Sequence, residues 1–234
     1  MNKPQIIYNF LELIKPYVNA GTLQPYECLA IGLEVEPDSE NYDRLRIQLA
    51  NNIYDLVDFM RADQPSNEYS WQQDLIDLIS YTSFDVHNFY STARSLYPDI
   101  QSHIYSQIRI WELINNKSLT LNINDINDIK NNTLNLILSI LDNKSLDDSV
   151  RSFIVKKLRK IVEALDYYHI FGNDGLLEIL EESIGHTFTN QKYEDFMRSE
   201  KSQDWKMYLG GLALGLGITD SIFSIGSTIQ GLLP

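Results

Sequence analysis

A single cysteine, Cys28, stands in 234 residues. No intrachain disulfide can form, and such a chain fits a reducing compartment. Basic residues are scarce: 19 Lys and Arg face 32 Asp and Glu, for a net charge of −13. Nucleic-acid affinity comes mostly from phosphate neutralisation, so this balance argues against nucleic acid as a main partner. It also argues against simple adsorption to an anionic membrane surface. The four histidines, His87, His103, His169 and His186, include no pair at i, i+4, and the chain has no His-Glu-x-x-His. It also lacks a Gly-x-x-x-x-Gly-Lys-Ser/Thr phosphate loop. Met1 to Val18 does not read as a signal peptide, because Glu12 and Lys15 interrupt it and no small-residue cleavage site follows. The expectation is a cytoplasmic chain with no catalytic, cofactor or metal motif.

Helical periodicity fills the rest. Ile6, Ile7, Phe10, Leu11 and Ile14 line a first helix with Pro4 near its start. Leu45, Leu49, Ile53, Leu56 and Met60 mark a long second one. Trp71, Leu75, Leu78 and Ile79 mark another. An aromatic-rich segment runs from Phe84 to Tyr97 and is expected to stop at Pro98. Ile104, Ile108 and Trp111 follow. Asn122 to Asn132 is mostly polar, and Leu134, Ile137, Leu138 and Leu141 predict a short helix after it. Val150, Ile154, Leu158, Ile161 and Leu165 form the cleanest apolar stripe, over 146–170. Gly172 offers a stop there, and residues 146–185 read as a helical hairpin. The fold expected is all-α, a multi-helix globular bundle over 1–186. A polar linker or exposed helix over 187–206 and an apolar, glycine-containing helical tail over 207–234 follow.

Candidate chemistry is thin. Glu163, Asp166 and His169 share a helix at i, i+3, i+6, but a di-metal bundle needs further Glu-x-x-His ligands, and the chain has none. Glu178, Glu181 and Glu182 read as a solvated acidic face. Cys28 reads as a structural thiol with no nearby His to activate it. Arg151, Lys156, Lys157, Arg159 and Lys160 place five of the 19 basic residues within ten positions. On an acidic protein they form either an ordinary solvated face or a docking ridge for an acidic partner or lipid headgroups.

The polarity of the chain breaks near its end. Leu209 to Leu233 holds one charged residue, Asp220. On a helical wheel Ile218, Ile222, Ile225, Ile229 and Leu232 fall on one side, and Ala213, Gly217, Asp220, Ser224, Ser227 and Gly231 on the other. The second face is small and polar, as in helix–helix contacts. Trp205, Lys206 and Tyr208 suit membrane-interface anchors. Eleven Leu, Ile and Phe residues there favour insertion by roughly 3 to 7 kcal/mol in total, against about 3 for Asp220. A lone spanning helix is therefore marginal. Burial against the bundle, as two short helices over 207–217 and 219–232, is the competing expectation.

Three functional classes remain open on the sequence. The leading one is a non-enzymatic helical protein that acts by association, its tail mediating oligomerisation and membrane contact. Such an organisation parallels membrane-perturbing bacterial effectors or toxin-like proteins. The second is an interaction module, such as an adaptor, immunity-type inhibitor or complex subunit, whose tail completes the core. The third is an enzyme without a recognisable motif.

Overall fold

The computed structural model describes residues 2–63, 70–80, 86–114 and 120–217. Every regular element among them is helical. The chain divides into two compact units, Asn2–Asn116 and Lys117–Pro234. The division falls after Asn116, inside the single 1–186 domain expected from sequence.

The first unit holds α1 (Lys3–Ala20), α2 (Pro25–Gly32), α3 (Tyr42–Asp63), α4 (Ser70–Ser80) and α5 (Val86–Ile114). Asn2 caps α1 by accepting from the Gln5 N–H, and Gly21 ends it in the left-handed region at φ 65°. The stripes read from sequence on α1 and α3 are buried. Gly32 sits where α2 crosses α1: a Cβ there would lie 2.5 Å from the Phe10 ring, so only glycine fits. From α5, Tyr97 donates to the Leu11 carbonyl at 2.7 Å and Tyr90 to that of Leu23 at 2.6 Å. The expected stop at Pro98 is not observed; α5 runs through it. Proline removes one helical hydrogen bond, but Ala93, Leu96, Ile100 and Ile104 are buried on either side and hold both halves.

The second unit holds α6 (Ile123–Asp142), α7 (Asp148–Asp166), α8 (Tyr168–Gly185), α9 (Gln191–Arg198) and α10 (Gln203–Gly215). Side chains cap the starts of α6, α7 and α9: Asn122 accepts from the N–H groups of Asn124 and Asp125, Asp147 from Ser149, and Asn190 from Tyr193. The polar stretch 122–132 is thus the first half of a 20-residue helix. In the expected hairpin, α7 already ends at Asp166. Gly172, at φ 59° and ψ −156°, then breaks α8 internally. Tyr168 fills that corner. Its hydroxyl accepts from the Leu121 N–H at 3.1 Å and bonds the Asn173 carboxamide, fixing the entry to α6. Residues 187–206, expected as a polar linker or an exposed helix, hold a short helix, α9, that buries one face. Tyr193, Phe196 and Met197 are buried from α9, and a short 3-10 turn, Glu200–Ser202, leads into α10.

Candidate functional site

The residues singled out from sequence fall mostly in the second unit, and the structure sorts them. Trp205 is 0% exposed and packs among Ile137, Val150, Ile154, Leu158 and Leu180. Its indole N–H donates to the Tyr193 hydroxyl at 2.7 Å. Tyr208 stacks beside Trp205, with centroids 5.9 Å apart, and its hydroxyl meets Thr133 Oγ1 at 2.6 Å. Burial pushes the Tyr208 phenol up to about 12. These aromatics are core residues, not side chains held out for a membrane interface. Lys206, beside them, is partly buried, which pushes its ammonium below its ordinary value.

Leu209, Leu212, Ala213 and Leu216 are buried along α10. Of the small-polar face, Ala213 is therefore inside the unit, and Gly217 is exposed just past the helix. Asp220, Ser224, Ser227 and Gly231 lie outside the described residues. Gly210, Gly211 and Gly215 would each accept a Cβ with nothing within 4 Å, so close packing does not require them among the described residues. With α10 folded in, the apolar run remaining, Ile218 to Leu233, has 16 residues. A spanning helix needs about 20. No described helix is long and apolar enough to cross a membrane.

The basic ridge on α7 is divided. Lys157 is buried at 7% exposure and ion-pairs with Glu182 of α8; Lys160 reaches the same carboxylate at 3.4 Å. That pairing, chiefly the Lys157 hydrogen bond, pulls the Glu182 carboxyl below its usual range. Arg151 turns back to Asp148 at 2.7 Å and to the carbonyls of Asn143 and Leu146. Lys156 and Arg159 are the two of the five that are exposed as whole residues. Of the carboxylates, Asp166 pairs with Lys130, while Glu178 and Glu181 are exposed. No cluster of three or more His, Cys, Asp or Glu side chains able to hold a metal occurs among the described residues. Cys28 is buried, and desolvation pushes its thiol up to about 12.

The surface that stands out was not singled out from sequence. Leu134, Ile137, Leu138 and Leu141 read there only as the marks of a short helix, with no face assigned. In the structure α6 turns Thr133, Ile137 and Ile140 inward. Leu134, Leu138 and Leu141 point outward at 42%, 63% and 47% exposure, with Ile123 at 67% on the same side. Spacing of i, i+4, i+7 makes them a continuous stripe. Thr133 hides this arrangement in the sequence. It is fully buried, but its hydroxyl is satisfied by the Ile129 carbonyl at 2.6 Å and by Tyr208. A polar residue therefore occupies the inner face while leucines occupy the outer one. Scattered exposed apolar residues are ordinary; these lie in a row along one face of a single helix.

Searches against family models, curated proteins and solved structures found no match.

Proposed function

We propose that the protein acts by association, with two complementary apolar elements in its second unit. One is the outer stripe of α6; the other is the amphipathic segment 218–232. The observation that carries the reading is the stripe, three leucines at helical spacing on the outer side of a helix whose inner side is already packed. Such a row is what an amphipathic helix uses as a seat, with anchors at i, i+3, i+4 and i+7. The burial of Trp205, Leu209 and Leu212, with Tyr208 partly buried beside them, favours this over a tail that spans a bilayer, since those side chains already serve the core.

The association is homotypic in its simplest form, because the chain carries both elements and closed self-association needs no further partner. Sedimentation velocity over a broad concentration range tests it. The reading predicts a larger species that grows with concentration and is reduced in Leu138→Glu, a change on an exposed residue that leaves the core intact. A single non-associating species at every concentration, unchanged by the substitution, contradicts it.

A further inference from the structure

We infer that His186 is a proton-operated latch: when its ring takes up a proton, α9 separates from α7 while α7 and α8 stay packed together. This device stands apart from the association surface on α6.

The latch sits at a joint. His186 begins the short turn, His186–Phe188, that links α8 to α9. Its ring stacks on Phe153 of α7, with centroids 3.9 Å and planes 17° apart. It also lies 5.2 Å from the ring of Tyr193 of α9, and Tyr193 meets Phe153 edge-on at 4.8 Å. Three rings, from α7, the turn and α9, thus close on one another. Of the three, only the imidazole can take up a proton near neutral pH. The backbone transmits its position. The His186 carbonyl accepts from the N–H groups of Thr189 and Asn190 at 3.2 and 3.1 Å, and Asn190 caps α9. Tyr193 in turn holds the indole N–H of Trp205.

The surroundings oppose a second cation. Glu182, one turn earlier on α8, is engaged by Lys157 and Lys160 of α7. On α9, Lys192 pairs with Asp147, Glu194 with Arg198, and Asp195 accepts from Gln191. Glu181 of α8 is exposed to water. The polar neighbour of the ring is Thr189 Oγ1, 3.5 Å from Nδ1, and among the described residues no carboxylate pairs with it. An aromatic face attracts a cation. Phe153, however, already has the Lys157 ammonium 5.3 Å from its centroid, so a charged His186 meets a like charge there.

Burial, and then Lys157, accordingly hold the imidazole below its ordinary value of 6.5. Once the joint opens and the ring is in water, the proton binds at the ordinary value. Opening is therefore favoured as pH falls below about 6.5, by up to about tenfold at about pH 5.5. Release stops at α9 because α7 and α8 hold each other by contacts away from the ring. Ile154 and Leu158 pack with Leu180, and Lys157 stays bound to Glu182, whose carboxyl is held below its usual range.

Hydrogen exchange of the full chain, read by NMR as protection factors that remove the intrinsic pH dependence, tests this. At about pH 5.5 the amides of Glu194 to Arg198 in α9 should be protected at least about tenfold less than those of Ile154 to Ile161 in α7, because α9 opens without α7. Between about pH 7.5 and about pH 5.5 the α9 protection should fall by about three- to tenfold. In His186→Phe that fall should be absent, and His186→Gln, neutral but polar, should behave as His186→Phe does. Equal protection in α9 and α7 overturns the separate release. Protection of α9 that does not change with pH, or a fall that persists in either variant, overturns His186 as the latch.

Discussion

Trp205 of α10 donates its indole N–H to the hydroxyl of Tyr193 of α9 at 2.7 Å, and both side chains are buried. This bond joins a segment that reads from sequence as a polar linker or exposed helix to a residue that reads as a membrane-interface anchor. Truncating Trp205 to Ala should cost about 3–5 kcal/mol, as for large buried aromatics. Tyr193→Phe, which leaves the indole N–H unpaired, should cost about 1–3 kcal/mol. Urea unfolding followed by circular dichroism measures both. A Trp205→Ala protein as stable as the parent would remove α10 from the core.

Thr133 and Tyr208 form another polar contact inside this unit. Thr133→Val keeps the shape and deletes the partner of the part-buried Tyr208 hydroxyl. It should lower stability by about 1–3 kcal/mol. In a Thr133→Val, Tyr208→Phe double variant both polar ends are gone, so the two losses should not add. Additive losses in the unfolding midpoints would show that the two hydroxyls act independently.

The α7 ridge should split by side chain. Lys157→Ala leaves Glu182 with only the longer Lys160 contact and removes a packed stem, whereas Lys156→Ala and Arg159→Ala change exposed positions and should stay within about 0.5 kcal/mol of the parent. Lys157→Met, which keeps the stem and removes the charge, should fall between the two. Equal effects across all five basic positions would contradict the division of the ridge.

His186 stacks on Phe153, with centroids 3.9 Å apart. Burial, and then the nearby Lys157 charge, hold its imidazole below the ordinary value of 6.5. The unfolded chain therefore binds this proton more readily than the folded one. The stability due to neutral His186 is full above about pH 6.5 and is lost as pH falls from there through the depressed folded value. Carboxylates such as Glu182, whose pKa is lowered, lose their contribution only further into acid. Urea midpoints should thus fall between about pH 7.5 and about pH 5.5, and the fall should be shallower in His186→Phe. Parallel profiles would remove His186 as the cause.

What was legible in the sequence follows from how well each helix obeys its pattern. α3 and α7 carry unbroken apolar stripes, and Leu45 to Met60 and Val150 to Leu165 are buried as read. α6 misled because burial there was decided by partners, not by hydropathy. Thr133 goes inside with both its hydrogen bonds satisfied, and Leu134, Leu138 and Leu141 go outside. α9 was hidden by its composition: three apolar residues, Tyr193, Phe196 and Met197, sit among five polar ones. Their i, i+3, i+4 spacing was the available signal. Trp205 and Tyr208 misled for a chemical reason. An amphipathic aromatic suits a bilayer interface and a core with one hydrogen-bond partner equally well, and the Tyr193 hydroxyl decides between them.

The central claim is that the α6 stripe and the segment 218–232 are complementary surfaces. A double-mutant cycle on association tests it most directly. Leu138→Lys is combined in turn with Ile225→Glu, Ile229→Glu and Leu232→Glu, and each protein's association constant is taken from sedimentation equilibrium. The account predicts that each single change weakens association and that at least one opposite-charge pair recovers about tenfold of the loss, a coupling of about 1.4 kcal/mol. Losses that add at all three pairings, or singles that change nothing, would contradict it.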